Sequence, residues 1–304
     1  MRKLALAAAI AAVFASPLVV STAQAQTAPA AAPASDHTFT GNMTIATDYR
    51  FRGISQTFKG PTIQGGIDYS HSSGFYLGNW NSNVSGITYT NGNNIEMDFY
   101  GGWKHSWGDF GLDVGALYYF YDSARANGVA QGSATTATNT SSKYNNGELY
   151  VGGSWKWLSA KYSYAVTDYF GMNANVARAT QSRDCFLGSN CTGTRAGFLS
   201  SLTENRGNSK GSSYFQIDAS YEVAPKWNLL GHVGHTGVKN YGELSYTDYK
   251  IGVTYDLSGW VLGGSIIGTN ANKQWYAGER NVGGSANTRN LGDTTLVLSV
   301  AKSF

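Results

Sequence analysis

Apolar and polar side chains alternate along most of this chain. From Phe110 to Phe120 apolar residues occupy every second position, and a similar alternation, interrupted by Lys302, runs from Leu296 to the final residue, Phe304. A period of two is typical of a β-strand with one apolar face. The pattern predicts about twelve strands. They lie near residues 42–52, 60–70, 74–84, 94–105, 109–121, 144–157, 159–169, 212–223, 227–237, 245–257, 260–270 and 293–304.

The connections between these strands alternate in length. The short ones are residues 71–74, 106–108, 157–159, 224–226 and 258–259. Between them lie longer segments rich in Gly, Ser, Thr and Asn, at residues 85–93, 122–143, 171–211 and 271–292. Tight turns at one end and long polar loops at the other are typical of transmembrane β-barrels. An even number of strands places both chain ends at the short-turn, periplasmic end.

The tryptophans fit the same architecture, because most of them lie beside the predicted short turns. These are Trp103, Trp107, Trp155, Trp157, Trp227 and Trp260. Aromatic residues in such positions form the interfacial girdles of membrane barrels. In the alternative, a soluble β-sandwich, the apolar faces and the tryptophans would form a core. We therefore predict an all-β fold, a transmembrane antiparallel up-and-down β-barrel whose polar faces line the interior.

The composition supports a membrane barrel. Charged residues make up 13% of the chain, where about 25% is typical of soluble domains. Aromatic residues are as frequent as charged ones, and 38 of the 304 residues are glycine. Beyond the first residues, no segment approaches the ~20 apolar residues of a membrane-spanning helix. This combination fits a barrel with a lipid-facing outside and a polar inside.

The first residues predict export. Arg2 and Lys3 precede an apolar run that ends at Phe14, and the small-residue pattern of a cleavage site follows at residues 23–25. We predict a signal peptide at residues 1–25, a flexible Ala/Pro-rich leader at 26–37 and the barrel at 38–304. Loss of Arg2 and Lys3 brings the net charge of +3 close to zero. A role in nucleic-acid binding therefore has no support.

Cys185 and Cys191 are the two cysteines of the sequence. In the oxidising compartment that export implies, a disulfide closing this short loop is expected. Two thiolates without a nearby histidine do not form a closed zinc site, so no metal is predicted. No cofactor is predicted either, because metal-binding H-E-x-x-H, phosphate-binding loops and paired C-x-x-C motifs are absent from the sequence.

Charged residues on the polar parity of the strands should line the lumen. The predicted first strand, residues 42–52, carries three of them, and two of these are arginines that would favour anions. Alternatively, Arg50 and Arg52 pair with Asp68 or Asp98 on adjacent strands and only fill the barrel. Residues 171–211, stiffened by the disulfide, are the predicted plug. The predicted pore-lining residues are Asp48, Arg50, Arg52, Asp68, Glu96, Asp98, Lys104, Glu148, Lys161, Asp218 and Lys250.

Several segments carry a family resemblance. The most specific is Thr47-Asp48-Tyr49-Arg50-Phe51-Arg52-Gly53-Ile54-Ser55-Gln56-Thr57, followed by Gln64-Gly65-Gly66-Ile67-Asp68-Tyr69 and Ser73-Gly74-Phe75-Tyr76-Leu77-Gly78. Two weaker matches are Val166-Thr167-Asp168-Tyr169-Phe170 and Lys302-Ser303-Phe304. In these segments the chain resembles the TorF family of bacterial porins. The resemblance implies an outer-membrane location and a channel, but supplies no substrate, and the long loops do not share in it.

Catalysis finds little support in the sequence. His232 and His235 lie on opposite parities of one predicted strand, with His232 toward the interior. A lipid hydrolase would need serine and histidine together at the membrane edge. No His–Ser pairing of this kind is evident in the sequence. We therefore do not predict an enzyme.

The favoured hypothesis is an outer-membrane channel for small polar solutes. Outer-membrane lipids would surround it, and the barrel-assembly machinery would recognise the terminal Phe304. The alternatives are a non-conducting structural or surface-binding barrel, a barrel lipid hydrolase and a soluble periplasmic β-protein. The mixed charge of the predicted lining residues leaves both signs of ion selectivity open.

Overall fold

The computed structural model describes residues 35–85, 94–122, 124–129, 139–173, 207–273, 275–282 and 285–304. Within these residues, twelve strands form one closed antiparallel barrel, which confirms the predicted fold class. The strands are β1 (His37–Ala46), β4 (Thr62–His71), β5 (Phe75–Asn83), β6 (Ile95–Trp107), β7 (Phe110–Phe120), β10 (Asn146–Trp155), β11 (Leu158–Ala165), β12 (Ser213–Ala224), β13 (Trp227–Gly237), β14 (Tyr246–Leu257), β15 (Trp260–Thr269) and β18 (Thr295–Ser303).

The barrel closes between its first and last strands. In the β1–β18 ladder Asn42 lies opposite Ser303 and Ala46 opposite Ser299. The last residue extends this ladder, because the backbone N–H of Phe304 donates to the carbonyl of Gly41 at 2.8 Å. Every other barrel strand pairs with its neighbours along the chain, so the topology is up-and-down.

The outside of the barrel is apolar. Leu298 is 51% exposed on β18 and Ile67 is 65% exposed on β4. Five tryptophans are exposed beside the short turns, as the sequence predicts: Trp107, Trp155, Trp157, Trp227 and Trp260. Such a belt with an aromatic girdle is the lipid-facing surface of a transmembrane barrel.

Short and long connections lie at opposite ends of the barrel. Residues 72–74, 108–109, 156–157, 225–226 and 258–259 form the tight turns. At the other end, the longer connections include two further hairpins, β8 (Arg125–Val129) with β9 (Asn139–Lys143) and β16 (Ala277–Val282) with β17 (Ser285–Asn290). Two short 3₁₀ helices also lie there, η1 (Tyr169–Gly171) and η2 (Gly242–Leu244). Among the described residues, no helix is long and apolar enough to cross a bilayer.

The prediction of one continuous first strand over residues 42–52 is wrong for the second half of that range. β1 ends at Ala46, and the chain then forms a separate hairpin of β2 (Arg50–Phe51) and β3 (Ile54–Ser55). We call residues 47–61 the lumenal hairpin. Asp48, Arg50 and Arg52 therefore lie on this hairpin and not on the barrel wall. The alternation continues past residue 46 because β2 is itself a strand, although its partner is β3.

The remaining domain predictions concern residues that the structure does not describe. The signal peptide at 1–25, nearly all of the leader at 26–37, and the cysteines Cys185 and Cys191 lie outside the described residues. So does most of the predicted plug, residues 171–211. Within the described residues, the segment that enters the barrel is the lumenal hairpin.

Candidate functional site

The lumenal hairpin is organised around one carboxylate. Asp48 is buried and accepts a hydrogen bond from Arg50 Nε at 2.6 Å. Its other oxygen accepts from Ser55 Oγ at 2.6 Å and from Thr57 Oγ1 at 3.0 Å. The side chains of β2, β3 and the following turn thus converge on Asp48. This explains why the segment folds on itself instead of extending β1.

Arg52 and Gly53 form the tip of the hairpin. They lie between the paired residues Phe51 and Ile54, and both have positive φ, 46° and 79°. Positive φ at both central positions is the geometry of a type I′ turn, which favours glycine at the second position. A Cβ at Gly53 would lie 2.8 Å from Cβ of Asp248, so the tip fits closely against the wall. For Arg52 the conformation is strained, at a cost of about 1 kcal/mol or more.

One side of the hairpin is anchored to the segment that precedes β18. Arg50 Nη1 donates to the carbonyls of Leu291 at 3.0 Å and Asp293 at 2.9 Å. The backbone N–H of Ser55 donates to Leu291 as well, at 2.9 Å. Lys59 Nζ completes this side with an ion pair to the carboxylate of Asp293 at 2.5 Å.

The tip of the hairpin is anchored to the opposite wall. Arg52 Nη2 lies 2.9 and 2.7 Å from the two carboxylate oxygens of Glu148 on β10. Its guanidinium also stacks on the ring of Tyr214, 4.1 Å from the centroid, and donates to Tyr169 at 3.3 Å. Burial raises the pKa of the Tyr169 hydroxyl, which lies in η1 outside the strands. The side chains of Arg52 and Glu148 are only 6% and 3% exposed, so this is a buried ion pair.

The partners that the sequence suggested for the two arginines, Asp68 and Asp98, are therefore wrong. Both acids lie on the β4–β6 wall, whereas the partners observed are Asp48 for Arg50 and Glu148 for Arg52. The reason is geometric. The arginines project from a hairpin inside the barrel, and they reach across the lumen and not to a neighbouring strand.

Aromatic residues fill the β5–β10 side of the lumen next to the hairpin. Tyr49 and Tyr121 donate to the two carboxylate oxygens of Glu96, each at 2.6 Å. Phe51 packs edge-on against the ring of Tyr119, with 5.3 Å between centroids. Although Tyr49 has the parity of the lipid-facing residues of β1, it is only 1% exposed, because it belongs to the hairpin.

Most carboxyl groups on this wall are held by tyrosine hydroxyls. Asp68 accepts from Tyr100 at 2.5 Å, and Asp113 accepts from Tyr76 at 2.6 Å. Asp98 differs, because its fully buried carboxyl has no tyrosine donor and lies beside the carboxyl of Glu96. A further predicted lining residue, Lys104, lies over the ring of Tyr76 at 5.1 Å.

We expect Asp98→Asn to stabilise the barrel. Two buried carboxyls side by side are costly, and the amide replaces one of them while keeping its shape and offering an N–H donor to Glu96, so a gain of about 1 kcal/mol is expected. The temperature at which the folded barrel loses its compact gel mobility should rise. In the matched control, Asp113→Asn, the temperature should not rise, because Asp113 already has the Tyr76 hydroxyl. A lower temperature for Asp98→Asn would contradict this account.

A second polar network lies on the β12–β14 wall. His232 bridges two carboxylates, with Nδ1 2.7 Å from Asp218 and Nε2 2.8 Å from Asp248. The remaining acceptor positions are also occupied, because Gln216 donates to Asp218 at 2.6 Å and Tyr214 donates to both oxygens of Asp248. Among the described residues, no group of three or more His, Cys, Asp or Glu side chains is arranged to hold a metal ion.

A cavity of about 130 Å³ lies between the lumenal hairpin and the wall formed by β11–β15 and β18. Small side chains leave this space, since Thr254, Gly263 and Ser299 form one row across three strands. Charged residues of the hairpin and of the wall surround the outer part. Those that line it are Asp48, Arg50, Arg52, Lys161, Asp218, His232, Asp248 and Lys250.

The structure thus divides the predicted lining residues into three groups. Asp68, Glu96, Asp98 and Lys104 lie on the β4–β6 wall, away from the cavity, and Glu148 holds the hairpin tip. The remaining six line the cavity. Sequence reasoning missed Asp248 as a functional residue, although it shares the polar parity of its strand with Lys250. It also missed the hairpin, whose only local signal is the Arg-Gly turn.

Comparison with solved structures finds other membrane barrels. The chain is similar to a KdgM porin in complex with disordered oligogalacturonate, at 10% identity and a TM-score of 0.45, over 88% of this chain and 99% of that one. It is also similar to the NanC porin, at 8% identity and a TM-score of 0.42, over 88% and 99% of the two chains. OmpT of Vibrio cholerae, expressed in the outer membrane, gives 11% identity and a TM-score of 0.37, over 88% and 97%.

Comparison with sequences gives a family. No curated protein matches the chain. A family model, however, matches residues 30–304, which include the whole described barrel. Its description is a bacterial protein of unknown function, Gcw_chp. The chain belongs to this Gcw_chp family.

Proposed function

We propose that this protein is an outer-membrane channel with a constricted lumen, through which small polar solutes diffuse. The observation that carries the proposal is the cavity, a polar space inside a closed barrel whose outside is apolar. An apolar exterior without open sheet edges suits a bilayer, since a closed barrel pairs the backbone groups of each strand with those of its two neighbours. A polar interior suits passage of solutes that the bilayer excludes.

The dimensions support a narrow pathway. Twelve strands enclose more space than the eight-stranded barrels that side chains fill, and less than the sixteen-stranded porins. Along β14 the cavity lining runs from Asp248 to Thr254, a length of about 20 Å at the rise of a β-strand. The lumenal hairpin lies at the outer end of this length and sets the constriction.

The TorF resemblance supports the same proposal. Its most specific segment, residues 47–57, is the lumenal hairpin, and each of its charged side chains makes a defined contact inside the barrel. We infer that the chain is a porin of this kind. Such a protein is exported by its signal peptide, inserted by machinery that recognises Phe304, and surrounded by outer-membrane lipids.

One observation favours a second candidate, a non-conducting structural or surface-binding barrel. The hairpin and the aromatic residues around Tyr49 and Phe51 fill much of the outer lumen. Lipid hydrolysis is not proposed, because His232 is bound between Asp218 and Asp248 inside the barrel and His235 is hydrogen-bonded to Thr247.

The proposal is tested by recording from purified, refolded protein in planar bilayers. We expect discrete conductance steps from material whose compact gel mobility and its loss on heating show a folded barrel. Steps that are small for a twelve-stranded barrel would agree with the constriction. Folded protein that gives no steps over repeated insertions would contradict the channel and support the non-conducting barrel.

A further inference from the structure

Not every charged group around the cavity is held in a direct ion pair. Arg50 is paired with Asp48, and both side chains are at most 3% exposed. Arg52 is paired with Glu148 in the same way. These four groups hold the hairpin in place and present little charge to the cavity.

The two carboxylates on the cavity wall are also occupied. His232 binds both Asp218 and Asp248, as described above. Gln216 and Tyr214 take their other acceptor positions. Both carboxylates attract the ammonium group of Lys250, but among the described residues neither lies within ion-pair distance of it.

Lys250 is a cation that lines the cavity and that no direct ion pair holds. It is half-buried on β14, between the His232 and Ile267 positions of the adjacent strands, and it lines the cavity. Among the described residues, no carboxylate oxygen lies within 4.0 Å of its Nζ. A lumenal ammonium group that contacts no carboxylate directly can bind an anion that enters the cavity.

The surroundings of Lys250 reinforce this charge. Lys161 on β11 also lines the cavity, with its ammonium group 5.1 Å from the centroid of the Tyr150 ring. The hydroxyl-bearing residues Ser265 and Ser299 line the inner part and offer hydrogen bonds to a polar solute. The carboxyl groups of the opposite wall, at Asp68, Glu96, Asp98 and Asp113, do not line the cavity.

We propose that Lys250 and Lys161 form an anion-binding subsite inside the barrel, which takes small solutes bearing a carboxylate or phosphate group. This inference deepens the proposed channel function and rests on it, because it names the class of solute that the lumen favours. The charged side chains of the lumenal hairpin, Asp48, Arg50 and Arg52, are not part of the subsite, since each of them is held in an ion pair.

The first test is ion selectivity. In a KCl gradient, Lys250→Gln should lower the chloride-to-potassium permeability ratio about threefold relative to wild type, because it removes a positive charge from the cavity lining. Lys104→Gln, the matched control on the opposite wall, should leave the ratio unchanged, and Lys250→Arg should preserve it. An unchanged ratio in a Lys250→Gln channel that still conducts would overturn the subsite and leave the channel intact.

The second test does not require conduction. Lys250 in the refolded wild-type barrel is labelled with a small amine-reactive reagent and quantified by mass spectrometry, with and without sodium phosphate or sodium acetate. We expect one or both anions to slow labelling at Lys250, while labelling at Lys104 stays constant. The more protective anion identifies the preferred group. Labelling of Lys250 that neither anion slows would overturn the subsite, whether or not the protein conducts.

Discussion

Replacing residues 48–58 by a short Gly-Ser connection is expected to raise single-channel conductance several-fold. This segment crosses the barrel from Glu96 on β6 to Leu291 before β18, with its tip at Glu148 on β10. Its removal leaves the barrel ladders intact, because β2 and β3 pair only with each other. The conducting cross-section would then be set by the twelve-stranded wall and no longer by the hairpin.

The matched control shortens a hairpin that lies elsewhere. Replacing residues 127–141, at the end of the β8–β9 hairpin, by the same connection should leave the conductance near the wild-type value, since no described residue of that hairpin lines the cavity. Both variants must keep the compact gel mobility of a folded barrel. Equal conductance for wild type and the 48–58 variant would show that the hairpin is not the constriction.

Glu148→Gln is expected to have the largest effect among single substitutions. It leaves the guanidinium of Arg52 buried with no carboxylate partner, and loss of one member of a buried pair typically costs about 3–5 kcal/mol. The strained backbone at Arg52 further favours detachment of the hairpin tip from β10. We expect a lower midpoint for loss of the compact gel mobility, and additional conductance levels in bilayer recordings.

A double variant separates the ion pair from other effects of position 148. Glu148→Gln combined with Arg52→Gln removes both charges, so most of the lost stability should return. Glu222→Gln is a control at an exposed carboxylate on β12 and should change neither readout. A double variant as unstable as Glu148→Gln alone would contradict the importance of this pair.

The barrel could be predicted from the sequence because each of its strands has one lipid-facing and one lumenal side. That difference imposes alternation on every strand, and the tight turns place the boundaries at one end. The strand ends on the long-loop side could not be predicted in this way, for a physical reason. Residues 47–52 alternate as β1 does, yet they pair with β3, and alternation does not specify the partner of a strand.

From the sequence, the site could be predicted only as a set of side chains that share the lumen-facing side of their strands. Parity places Lys161, Asp218 and Lys250 inside, but it does not say which charges neutralise each other across the lumen. That depends on the hairpin, which brings Arg52 to Glu148 over a separation of 96 residues. That Lys250 lines the cavity without a direct ion pair becomes clear only once every such pair is known.

The contacts of Arg50 with Leu291 and Asp293 join residues 241 and 243 positions apart in the chain. Contacts between such distant parts of a sequence form late, because the intervening chain must first be ordered. The hairpin is synthesised near the beginning, but it gains this anchor only when the last strand arrives to close the sheet. Docking of the lumenal hairpin and closure of the barrel are thus coupled in time, so a chain that lacks its last strand also lacks the anchor of its hairpin.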